Sequence, residues 1–131
     1  MTSRIATIIV DARDAYAQSL FWAQVLDFVE DPDDPNLPEH EECLIRSRDG
    51  GHALLFIDVP EAKQVKDRVH LDLRPADRSR DEEVERLLAI GATLVADLRR
   101  EDGSGWVVLA DPEGTAFDVL TRYPRGAAAA G

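Results

Sequence analysis

The sequence predicts an α+β fold: two tandem βαβββ modules with mixed sheets curling around a shared cleft. Three observations predict it. Short runs of alternating apolar residues recur, each bounded by turn residues, as half-buried strands require. Two longer segments carry apolar residues at helical spacing. The order of strand, helix and strands ending in a tight hairpin occurs twice. Setting Asp14 against Asp77, ahead of each helix, aligns Thr7 with His70; setting Gly51 against Gly114, at the hairpin turns, aligns Leu55 with Asp118. This repeat is too long and too few-fold for a solenoid.

The elements follow in order. Arg4–Val10, "RIATIIV", is β-branched and reads as a strand. Asp14–Leu26 places Ala17, Leu20, Phe21 and Val25 on one helical stripe, with Asp14 as N-cap. Trp22 follows that stripe and is expected to pack or snorkel at its edge. Asp27–Glu42 is a proline-rich loop with eight acids and no Lys or Arg. "ECLIRSR" and "HALLFIDV" flank "DGG", a hairpin signal. Pro60–Lys66 reads as a linker. "RVHLDLR" opens the second module, and Arg80–Ile90 is a helix with acids in its first turns and Gly91 as C-cap. "ATLVADL" is a short strand. "GWVVLA" and "TAFDVL" flank "DPEG", with proline second and glycine fourth in the turn. One domain over 1–123 is therefore expected, with modules at about 4–59 and 68–121 and a disordered tail at 124–131.

Composition narrows the function. The chain has 131 residues, 15 basic and 26 acidic, for a net charge of -11. That opposes nucleic-acid binding, which needs a basic stripe. No apolar run reaches membrane-spanning length, and "MTSRIATIIVDARD" does not read as a signal peptide. One cysteine, Cys43, agrees with a reducing, cytoplasmic setting and reads as a small packed residue rather than a nucleophile. The acidic loop reads as a solvated segment; the alternative is a rim that attracts a cationic ligand.

Four stretches carry a family resemblance: "LFWAQVL" at 20–26, "VKDRVHLDLRP" at 65–75, "LLAIGATLV" at 87–95 and "WVVLADPEGTAFDVL" at 106–120. In order and spacing the chain resembles the vicinal oxygen chelate superfamily of glyoxalase I, extradiol dioxygenases and bleomycin-resistance proteins. The local match is closest to glyoxalase-like domains common in actinobacteria. The resemblance implies paired βαβββ modules around a cavity and, often, a dimer. In metal-dependent members the first and last strands of each module supply ligands. By position these fall at Thr7, Leu55, His70 and Asp118, of which only His70 and Asp118 can bind a metal.

Strand alternation puts Val69, Leu71 and Leu73 on one face and His70 and Asp72 on the other. Phe117 and Val119 likewise face the helix, while Ala116, Asp118 and Leu120 face the cleft. Trp106 shares a face with Val108 and can stack on a planar ligand or serve a core or dimer interface. The expected cleft residues are thus His70, Asp72, Asp118, Trp106, Thr7 and Leu55. A catalytic divalent ion usually needs three protein ligands and an open position. With His70 and Asp118 alone at the implied positions, and Asp118 one methylene shorter than the glutamate common there, no cofactor is expected. The expected role of His70 is a hydrogen bond to Asp118 or Asp72, with general acid–base action as the catalytic candidate.

Three functions compete. The first is a small-molecule-binding protein without catalytic metal, taking a cationic or aromatic organic ligand. The second is a divalent-metal-dependent lyase, isomerase or dioxygenase using His70 and Asp118. The third is a degenerate domain acting through its surface as a partner subunit or sensor.

Overall fold

A computed structural model describes residues 1–124; the tail expected to be disordered falls, beyond Pro124, outside the described residues. The chain divides into two compact units, Met1–Lys63 and a second beginning at Gln64.

The first unit runs β1 (Ile8–Ala12), α1 (Ala15–Leu26), β2 (Glu42–Arg46) and β3 (Ala53–Asp58). Its sheet has the order β1-β3-β2, with β1 parallel to β3 and β2 antiparallel to it. The helix begins where expected: Asp14 is the N-cap, and its carboxylate accepts from Ala17 N at 3.0 Å. Its buried face differs from the expected stripe. Ala15, Gln18, Ser19, Phe21, Trp22 and Val25 are buried, whereas Ala17 and Leu20 are exposed. Phe21 and Trp22 pack edge to face with centroids 5.7 Å apart, so Trp22 is a core residue. They join Cys43, Ile45, Leu54 and Phe56 in the buried apolar set of this unit. Burial raises the Cys43 thiol pKa, which disfavours the nucleophilic thiolate and supports the packing role.

The expected first strand, Arg4–Val10, is displaced to Ile8–Ala12. Register explains the shift. Ile8 lies opposite Leu54, and β3 begins at Ala53, just after the Gly50–Gly51 turn, so the chain before Ile8 runs out of partner. This unit also has three regular strands among the described residues, not four. Where a further strand would sit, Val29 alone bridges Arg46, exchanging two backbone bonds of 2.8 Å. Pro32, Pro35 and Pro38 lack the N–H donors that a longer ladder needs. Asn36 compensates locally: its Nδ2 donates to Leu44 O at 2.8 Å.

The second unit runs β4 (Leu71–Leu73), α2 (Arg80–Ala89), β5 (Thr93–Asp97), β6 (Val107–Ala110) and β7 (Ala116–Val119). This is a full βαβββ module with strand order β4-β7-β6-β5. A capping box starts α2: Ser79 Oγ accepts from Glu82 N, and the Glu82 carboxylate accepts from Ser79 N, both at 3.1 Å. The C-cap is Ile90, one residue earlier than expected, and Gly91 follows at φ 122. Val84 and Leu87 of α2 and Val107, Leu109, Phe117 and Val119 of the sheet form the buried apolar set. At the β6–β7 turn, buried Asp111 accepts from Glu113 N at 2.9 Å and Thr115 N at 3.0 Å. No helix among the described residues is long and apolar enough to cross a membrane.

Candidate functional site

In the second sheet, one face packs inward and the other carries the chemistry. Phe117 and Val119 are fully buried, while Ala116, Asp118 and Leu120 between and beside them are half-buried. The parallel pairing of β4 with β7 sets Asp72 directly opposite Asp118. The antiparallel pairing of β6 with β7 sets Val108 on the other side of Asp118. A row of Val108, Asp118 and Asp72 therefore crosses three adjacent strands on one face. Trp106, one residue before β6, and Leu120, one residue after β7, continue that face by alternation; both are half-buried.

Within this row the carboxyl groups of Asp72 and Asp118 face each other across the β4–β7 pair and interact. Burial pushes the Asp118 carboxyl above its ordinary range, and the hydrogen bond and charge of Asp72 push it further; His70 acts the other way. Two carboxyl groups facing each other across adjacent strands oppose each other's ionisation, which is the physical cause of the upward shift at Asp118.

His70 sits one residue before β4, and its side chain is exposed. Its Nε2 lies 3.2 Å from the backbone oxygen of Asp67, not in a hydrogen bond to Asp72 or Asp118 as the sequence suggested. The physical reason is local. Asp67 is anchored by its own carboxylate, which accepts from Ala116 N at 3.0 Å, and this presents its carbonyl three residues before the imidazole. Val69, expected to face the helix, is exposed because β4 does not begin until Leu71.

The first unit repeats this geometry with different chemistry. Ile9 lies opposite Leu55 in the parallel β1–β3 pair, and Thr7 precedes Ile9 by two residues, as His70 precedes Asp72. Thr7 is exposed and Leu55 half-buried. Neither pairs a carboxylate with an imidazole, and an alkyl side chain offers a metal nothing.

A divalent ion implied by the fold can be tested against these donors. Among the described residues, no three His, Cys, Asp or Glu side chains are grouped as a metal site. Asp118 faces Asp72 across the β4–β7 pair, and the Nε2 of His70 lies 3.2 Å from Asp67 O. These residues do not make up the three-donor set that a catalytic ion uses.

Two features escaped the sequence reading. Ser79 and Glu82 form an S-x-x-E capping box whose signal was present. Arg80 is nine-tenths buried, and its Nη1 donates to the carbonyls of Gly103, Ser104 and Gly105 at 3.1–3.2 Å. That clamp pairs residues over 20 positions apart and has no local sequence signal.

The carboxyl pair gives a signed prediction. Asp118 has a raised folded pKa, so its contribution to stability is fully present below the unfolded value and is lost as pH rises through the folded one. Asp118→Asn removes the half-buried charge that opposes Asp72. The variant should gain a few degrees in Tm over the parent near neutral pH, and the gain should vanish near pH 3. A pH-independent difference in thermal melts would refute the raised Asp118 titration.

A glyoxalase-like domain family model matches residues 7–120. No curated protein matches the chain. Solved structures share its fold. A glyoxalase/bleomycin resistance protein/dioxygenase family enzyme from Burkholderia phytofirmans PsJN is 22% identical with a TM-score of 0.64, covering 87% of this chain and 94% of that one. The fosfomycin resistance protein FosX from Listeria monocytogenes, complexed with Mn(II) and 1S,2S-dihydroxypropylphosphonic acid, is 17% identical with a TM-score of 0.69, covering 92% and 90%. The oxidase ChaP-H2 is 24% identical with a TM-score of 0.65, covering 97% and 98%.

Proposed function

The chain belongs to the glyoxalase-like domain family, and we propose that within it this protein binds a small cationic aromatic molecule without a resident catalytic metal. The observation that carries the reading is the Asp72–Asp118 carboxyl pair on the outward face of the second sheet. An ammonium or amidinium group placed there meets two carboxylates and relieves their mutual repulsion. The aromatic body lies along Trp106, Val108 and Leu120, which supply apolar contact and a stacking surface. The net charge of -11 draws cations toward the protein at long range. His70, exposed and beside the pair, orients the ligand or transfers a proton to it. Thr7 and Leu55 contribute contact surface rather than chemistry.

Benzamidine, an aromatic cation, tests the reading by calorimetry. Binding should be saturable and should strengthen as pH rises through the Asp118 titration, because the cation competes with the proton. Asp118→Asn should weaken it about tenfold, the worth of one charge-assisted hydrogen bond. Equal affinity in the variant, or no saturable binding, sinks the proposal.

The alternative is a divalent-metal-dependent lyase, isomerase or dioxygenase using His70 and Asp118. It is supported by the Mn(II) that the Listeria FosX structure contains. Metal content after incubation with Mn, Fe(II), Co, Ni and Zn separates the two. Near one equivalent, lost in both His70→Ala and Asp118→Ala, establishes the metal reading; background levels support the metal-free one.

We also read the protein as a cytoplasmic homodimer. Ile5, Ile8 and Ile9 at the free β1 edge, and Val65 and Val69 ahead of β4, are exposed aliphatic residues suited to burial by a second copy. Sedimentation at twice the 14.5 kDa chain mass is the expected result, and a monomer at micromolar concentration overturns it.

A further inference from the structure

We infer that the second unit carries a separate site for a small organic monocarboxylate, in the cavity between the start of α2 and the end of β7. The cavity measures about 360 Å³, within the range that small ligands fill. It shares no residue with the Asp72–Asp118 face, so its fate is independent of the reading above.

Two arginines line it, Arg80 and Arg122. Arg80 is nine-tenths buried. Its Nε donates to Asp81 at 3.1 Å, and its Nη1 serves three carbonyls. Its Nη2 has no protein acceptor among the described residues, yet it is not among the atoms sealed from solvent. That donor is open to an acceptor from outside the chain, and Arg80 lines the cavity, where an oxyanion would form a charge-assisted hydrogen bond with it.

Arg122, also in the lining, is exposed and has its guanidinium 5.1 Å from the Tyr123 ring centroid. It forms no ion pair with any carboxylate among the described residues. Ser79 lines the cavity, but its Oγ is already engaged by Glu82, so the two arginines carry the site. The α2 amides do not carry the site, since the capping box already engages Glu82 N.

Charge and shape set the ligand class. Asp81 also lines the cavity, and its Oδ1 is already engaged by Arg80 and by Arg99 at 3.2 Å. Two arginines face the Asp81 carboxylate, and Asp77 also acts on Arg122, so the local positive charge is small and suits a monoanion better than a phosphate dianion. The Tyr123 ring offers an apolar wall to an organic tail.

The test uses the full chain and amide NMR, with benzoate as ligand and benzamide, phosphate and chloride as comparators. Benzoate should produce saturable shifts at residues 79–81 and 121–123 with millimolar affinity. Arg122→Ala, an exposed position that leaves the Arg80 clamp intact, should weaken binding about fivefold, as an exposed ion pair is worth. Raising salt should weaken it further. Three results each overturn the inference: no saturable shift with benzoate, equal affinity in Arg122→Ala, or phosphate or benzamide binding as tightly as benzoate.

Discussion

Replacing Arg80 with methionine should destabilise the second unit by about 2–3 kcal/mol, measured by chemical denaturation. Methionine keeps most of the aliphatic stem, so the loss is mainly polar. The carbonyls of Gly103, Ser104 and Gly105 lose their shared donor in a nine-tenths-buried setting. The effect stays below the cost of breaking a fully buried ion pair, because Asp81 is 64% exposed and keeps Arg99. The same loop has little freedom to relax. Gly105 sits at φ +90, and a Cβ there would meet Leu98 O at 2.1 Å. Leu98 N also donates to Trp106 O at 2.9 Å, so the clamp ends beside the tryptophan on the outward face. Trp106 emission should therefore shift to the red in Arg80→Met before global unfolding begins. Unchanged stability would show that the three carbonyls find water at no cost.

Phe117→Ala should cost more, about 3–5 kcal/mol. Phe117 is fully buried on β7, opposite Leu71 on β4 and Leu109 on β6. Both neighbours are aliphatic and held by ladder bonds, so the vacated volume closes only in part. Asp118, one residue later, points to the opposite face. A variant there should change the pH dependence and benzamidine binding while leaving neutral-pH stability equal or higher. Opposite signs at adjacent positions follow directly from strand alternation. A loss below 1 kcal/mol in Phe117→Ala would mean that the sheet and α2 are not the core of this unit.

Alternation was the most legible part of the sequence. It placed Phe117 and Val119 inside, and Asp118 with Asp72 together on the opposite face, because a period of two survives any small error in strand ends. Strand ends were less legible. Arg4–Thr7 and Arg68–His70 have strand-like residues, but the partner strands begin at Ala53 and Ala116, and pairing stops with them. The face of α1 was hidden by composition. Ala17 and Leu20 are as apolar as the residues that pack, while Gln18 and Ser19 are buried, so periodicity could not select the inner side. The His70 partner depended on where Asp67 is anchored, and the Arg80 clamp on a loop more than 20 residues away. Neither contact is encoded by neighbours in sequence.

The segment between α1 and β2 has a consequence for solubility. An open strand edge is a template on which other chains can add, and β2 carries the apolar Cys43–Ile45 at such an edge. Val29 occupies the backbone groups of Arg46, and the Asn36 amide takes the Leu44 carbonyl. Three prolines and the acids between them then deny an incoming strand both donors and a neutral surface. In place of a fourth strand the first unit has a gatekeeper, which guards the chain against amyloid-like self-association.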